Sequence, residues 1–148
     1  MLQTEAVPTD LRVLSEHIYQ YKKGVRNMVL YTFPERYQQQ AIGKLERQGI
    51  DYLIQPVGNR RINLFFGRKE CMDALRTFAG RPLNKLTPEE DFILGTLLGY
   101  DLCSQCERYC KRKAKAPCLF QKTIVTIALV NLRKPDKAVI QDINYHYQ

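Results

Sequence analysis

Histidine is scarce in this chain, with two in 148 residues. No Ser-His-Asp set can be assembled from so few, and no other catalytic motif appears. Long apolar runs are also missing. The longest nearly apolar stretch, Thr123 to Leu132, is about half of what spans a bilayer. The start, MLQTEAVPTD, lacks a basic region followed by an apolar core, so no signal peptide is expected and the cytoplasm is the default location. The paired acids Glu89 and Glu90 are accounted for by helix capping rather than by acid–base chemistry. These absences point to a protein that is not an enzyme and does not enter the membrane.

What remains is ordinary for one globular domain: 45% apolar and 26% charged residues. The net charge is +8 and unevenly placed. Residues 1–100 carry 14 Lys and Arg against 11 Asp and Glu; residues 101–148 carry 9 against 4. Such a basic end favours an acidic partner. Nucleic acid ranks last among these, because aromatic residues interleave with charge only at Tyr109 and at Tyr145 to Tyr147, which makes a poor stacking platform.

Local patterns place the elements. Thr9 is read as the N-cap of a helix that carries Leu11, Leu14, Ile18 and Tyr21 at helical spacing, closed by Gly24. His17, beside that stripe, reads as a surface or core-edge residue. Val25 to Thr32 reads as a buried strand, and a second helix follows Pro34 to about Gln48, burying Ala41, Ile42 and Leu45. Asp51 to Val57 and Arg61 to Phe66 form a hairpin about Gly58-Asn59. Within the latter strand Ile62, Leu64 and Phe66 share one face, Asn63 and Phe65 the other. Glu70 to Phe78 is a third helix, with Cys71, Leu75 and Phe78 on one side. Thr87-Pro88-Glu89-Glu90 opens a fourth with a capping box, apolar over most of its circumference and therefore expected at the centre of the core. Gly99 stops it, and Asp101 caps a fifth running to about Lys113.

The expected class is α+β: a three-stranded sheet with a β–α–β–β–α core and about five helices in one domain, residues 9–116. One sheet face is expected under helices and the other open, so that the open face or a strand edge could receive a second copy. Residues 117–148 read as an extension, either a β-hairpin around a Pro-Asp turn or loosely ordered.

Two groups of residues could carry a function. Cys103, Cys106, Cys110 and Cys118 follow the spacing C-x2-C-x3-C-x7-C, and thiolates suit zinc or an iron–sulfur cluster. In an unbroken helix the first three project within roughly 60° of one another, but Cys103 and Cys110 are separated by about 10.5 Å of rise. Sulfurs on one zinc lie within roughly 4 Å of each other, so a continuous helix offers at most two neighbours. The plainer expectation is no cofactor, with the cysteines as small buried hydrophobes facing the sheet; a redox thiol pair is the third reading. Arg108, Lys111 and Arg112 could stabilise a thiolate or meet a partner. The second group, Gly58, Asn59, Arg60, Arg61 and Asn63 at the hairpin, could hold a carboxylate or phosphate, although no Walker or dinucleotide fingerprint accompanies it. A plain tip with solvated arginines is the alternative.

The stretches HIYQYKKGVRNMVLYT, GIDYLIQPVGNRRINLFFG and RPLNKLTPEEDFILGTLLGYDLCSQCERYC, within residues of about 11 to 113, resemble a bacterial family known as domain of unknown function 2023. The resemblance implies a small α+β domain of three strands and five helices that forms a homodimer. It also implies an association with flavodoxin, an acidic flavin electron carrier that a basic protein would suit. It carries no catalytic residues over, and Cys118 falls outside it. The leading expectation is a dimeric, non-enzymatic module that binds an acidic protein such as a flavodoxin. The alternative is a cysteine-based metal or redox protein.

Overall fold

One strand apolar on both sides sets the architecture. The computed structural model describes residues 7–115. Its elements are α1 (Thr9–Lys22), β1 (Met28–Pro34), α2 (Gln38–Glu46), β2 (Asp51–Gly58), β3 (Arg61–Gly67), α3 (Lys69–Arg76), α4 (Pro88–Leu97) and α5 (Leu102–Lys115), with 3-10 turns at Glu35–Tyr37 and Leu83–Lys85. This is a small α+β fold. By its contacts the chain divides into two units, Met1–Lys113 and Ala114–Gln148, and the first holds the sheet. The expected hairpin beyond Pro117 lies outside the described residues.

The sheet order is β1-β3-β2, antiparallel throughout. β1 and β2 therefore run parallel to each other with β3 between them, which is why a helix, α2, connects them. Ile62, Leu64 and Phe66 of β3 pack with Val29 and Phe33 of β1, Leu11, Leu14 and Ile18 of α1, and Ala41 and Leu45 of α2. Phe65, on the opposite face, packs with Met28, with Met72 and Leu75 of α3, and with Leu94 and Leu98 of the α4 end. The alternation read from β3 is correct, but the open sheet face expected from it is not there. Apolar residues on both sides of a central strand need cover on both sides, and α3 and α4 supply the second layer.

Local readings shift where the backbone geometry differs. Thr9 is already helical and Pro8 takes the N-cap position, its carbonyl accepting from the N–H groups of Leu11 and Arg12 at 3.0 and 3.1 Å. The hairpin turns at Asn59-Arg60, one residue later than expected, with φ of 50° and 53°. A bulge between Pro56 and Gly58 brings Gly58 opposite Arg61 and moves the two-residue turn along. Ile42 is only half-buried. Helix α4 is peripheral rather than central: Leu94 and Gly95 are buried while Ile93 is 42% exposed.

Gly67 closes β3 in a position no other residue fits. It pairs with Met28 on one side and Asp51 on the other. A Cβ there would lie 2.5 Å from the Asn27 carbonyl oxygen and 2.8 Å from the Met28 Cα. Both are backbone atoms, so the strand pair itself would have to open. Among the described residues no helix is long and apolar enough to cross a membrane.

Candidate partner-binding surface

Helix α5 buries none of its residues, yet it is tied closely to α4. The Thr87 hydroxyl accepts from the Glu90 N–H while Glu90 accepts from the Thr87 N–H, fixing the start of α4. Asp101 then caps α5 by accepting from the Ser104 N–H at 2.8 Å. Asp91 accepts from Arg108 Nε at 2.6 Å and lies 3.0 Å from the Arg112 guanidinium. The Arg108 hydrogen bond holds the Asp91 carboxyl below its ordinary range, against the opposing effect of burial. Arg112 also donates to the Leu86 carbonyl at 2.8 Å, and Glu89 receives Tyr109 and Lys113. The side chain of Gln105 lies over Gly95, where a Cβ would strike it.

These contacts decide where the expected site residues of α5 point. Arg108 and Arg112 are engaged with Asp91, while Lys111 is solvated and only loosely paired with Glu107 at 3.7 Å. Gln105, Arg108, Tyr109 and Arg112 make the docked face, and Cys103, Cys106 and Cys110 fall on the side roughly opposite to it. All three are free thiols and exposed. The expectation that they are buried against the sheet is therefore corrected, because α5 docks through its other side and onto α4. The helix is continuous, so Cys103 and Cys110 stay about two turns apart. Among the described residues no three Cys, His, Asp or Glu side chains come together as metal ligands. Cys118 lies outside the described residues. Cys71 packs at the edge of the second core, and burial pushes its thiol up.

At the hairpin, Asn59, Arg60 and Arg61 line a groove of about 530 Å³ together with Pro34, Glu35 and Arg36. The Glu35 N–H donates to the Arg60 carbonyl at 2.8 Å, which joins the turn to the start of α2. Arg61 donates to the Thr32 carbonyl at 2.9 Å, and the Arg36 guanidinium sits 4.8 Å from the Tyr37 ring centre. Gly58 supplies the bulge. Asn63, grouped with these residues on sequence, does not join them. It is buried in the sheet, where its Oδ1 accepts from Thr32 Oγ1 at 2.6 Å and its Nδ2 donates to Gln55 Oε1 at 3.3 Å.

The distribution of ion pairs is the feature that the sequence hid. Every ion pair among the described residues falls between Asp51 and Lys113. Residues 7–68 contain ten Lys and Arg against five Asp and Glu, and none of those ten cations is in an ion pair. The positive charge that looked concentrated after residue 100 is, within α5, largely matched by α4. Among the described residues, the cations that enter no ion pair lie mainly on the α1–α2 layer and the hairpin.

The family described as "Protein of unknown function (DUF2023)" matches the chain over residues 12–112. No curated protein matches it.

Proposed function

Starting from a chain that belongs to the DUF2023 family, we propose a non-enzymatic module that binds an acidic protein through the α1–α2 layer and the adjoining β2–β3 hairpin. The observation that carries this reading is the separation of charge: acids and bases pair across α3, α4 and α5, while among the described residues the cations of residues 7–68 enter no ion pair. Unmatched surface charge speeds encounter with an oppositely charged partner and selects against like-charged ones. A flavodoxin-type electron carrier is the specific partner proposed, on the strength of the resemblance. A homodimer would use the edge strands, and β2 is the poorer edge because it carries Pro56 and a bulge.

The test is a titration of the full chain with a flavodoxin at two ionic strengths. Binding is expected to weaken steeply from about 20 to about 200 mM salt, as screening shortens the reach of surface charge. Arg36→Glu with Arg60→Glu is expected to weaken it further, and Lys111→Glu on the far helix to leave it unchanged. Absence of salt-sensitive binding sinks the flavodoxin reading.

The exposure of the α5 thiols favours a second reading. Cysteine is among the residue types most often buried, and three exposed on one helix side have no packing role. Neighbouring pairs, Cys103 with Cys106 or Cys106 with Cys110, are proposed as a redox dithiol or as part of a zinc or iron–sulfur site. Elemental analysis, a visible spectrum and thiol titration of anaerobically purified protein separate the readings. Stoichiometric zinc or iron supports the site, whereas metal-free, colourless protein whose thiols never couple removes it.

A further inference from the structure

Three lysines from two helices line a groove of about 470 Å³ in the seam between α1 and α2. Lys22 and Lys23 come from the end of α1 and Lys44 from α2, with Ser15, Gln48, Ile18 and Tyr19 completing the wall. Among the described residues no carboxylate lines it. Lys22 and Lys23 sit at the helix end where the α1 dipole favours cations, and Lys44 joins them through packing of α2.

The ammonium groups are placed but not neutralised. Lys22 donates to Gln48 Oε1 at 3.2 Å and Lys44 to Ser15 Oγ at 3.1 Å, both neutral acceptors. Ser15 is itself anchored, donating to the Leu11 carbonyl at 2.9 Å. Lys23 sits 5.5 Å from the Tyr19 ring centre. An ammonium has three donors, so Lys22 and Lys44 each keep donors for a ligand. The helix ends oppose an anion only weakly. Each terminus counts as about half a negative charge, against three full positive ones. At α1 the last carbonyls are already taken: those of Tyr19, Gln20 and Tyr21 accept from Lys23, Val25 and Gly24.

We propose that this groove binds a phosphate monoester, with its phosphate among Lys22, Lys23 and Lys44 and its organic part against Tyr19 and Ile18. Ammonium groups act as point charges that can approach a tetrahedral oxyanion from several sides, whereas planar carboxylates are better met by the arginine fork. The volume falls within the range of about 300–1,000 Å³ typical of small-molecule sites and far exceeds a bare phosphate. Tyr19 is 56% exposed and offers a ring for a ligand to cover. The inference shares the separation of charge with the protein-binding reading but requires no protein partner.

Calorimetric titration of the full chain with AMP and with inorganic phosphate, at fixed ionic strength, tests it. AMP is expected to bind one to one and more tightly than phosphate. Lys22→Ala with Lys44→Ala should weaken both by about tenfold or more, the loss of two charge-assisted contacts. Tyr19→Ala should weaken AMP alone, and Arg36→Glu with Arg60→Glu should leave both unchanged. These positions lie at the surface, and matched circular dichroism melts establish that each variant is folded. No saturable binding of either probe overturns the proposal, as does binding indifferent to the two lysines. The flavodoxin titration fails or succeeds separately, since it is read through the hairpin arginines, which the AMP titration does not sense.

Discussion

Phe65→Ala is expected to cost about 3–5 kcal/mol of folding free energy, the range for emptying a buried aromatic site. Phe65 is fully buried on the central strand, and its register partners are Leu30 on one side and Leu53 on the other. With a strand hydrogen-bonded along each edge, β3 cannot move into the space left behind. Met72 and Leu75 above it belong to a helix held by Arg76, which donates to Asp51 at 2.9 and 2.6 Å. The cavity should therefore persist rather than collapse. Against a typical total stability of about 5–15 kcal/mol, such a loss leaves a much reduced margin. Urea denaturation of the variant checks it. A loss below about 1 kcal/mol would show that the α3–α4 layer can repack around the gap.

Asp91→Ala is expected to release α5 from the body while leaving the sheet intact. One carboxylate receives Arg108 through two nitrogens, at 2.6 and 3.1 Å, and Arg112 at 3.0 Å. The Asp91 side chain is only 14% exposed, so these contacts are partly shielded from water. Charge-assisted bonds of this kind contribute about 1.5–3 kcal/mol, reduced where the arginines are solvated, and about 1–3 kcal/mol in total is expected here. Because α5 buries no residue of its own, the loss should concentrate in that helix. Hydrogen exchange reads it directly: α5 amides lose protection and β3 amides keep theirs. Equal loss in both would mean that the helix and sheet unfold as one unit.

The same residue gives a pH dependence with a definite sign. Its carboxyl is held below the ordinary value of 3.8, first by the Arg108 hydrogen bond. A carboxylate with a lowered folded pKa stabilises at neutral pH, and that contribution is lost as pH falls through about 4 toward the folded value. The release of α5 should therefore begin at acid pH in the natural chain. In Asp91→Asn that acid sensitivity should be reduced to the part carried by Glu89 and Asp101, whose carboxyls are lowered by Lys113 and by the Ser104 N–H.

Several features were legible before any coordinates. The alternation along Arg61 to Phe66 gave the correct faces of β3, since successive strand residues point to opposite sides. The Thr87–Glu90 box and the Asp101 cap formed as read, because capping involves residues three apart and needs no tertiary contact. The separate course of α4 and α5 followed from Gly99, which adopts a φ of 74°. Strand ends and the hairpin centre moved by a residue or more, since a bulge is set by pairing with the neighbouring strand.

The sequence by itself determined which residues share a side of their own helix or strand, and where α4 and α5 begin. Only the tertiary structure decided what covers each side. Periodicity grouped Cys103, Cys106 and Cys110 correctly, but it could not say that α5 would dock through the opposite side and leave them in solvent. Composition counted the charges, but whether Arg108 is spent on Asp91 or Lys44 joins Lys22 depends on distances between residues 17 and 22 positions apart. Local patterns report backbone geometry within a few residues, whereas electrostatic and packing energies depend on separation in space, which is fixed only when the layers close.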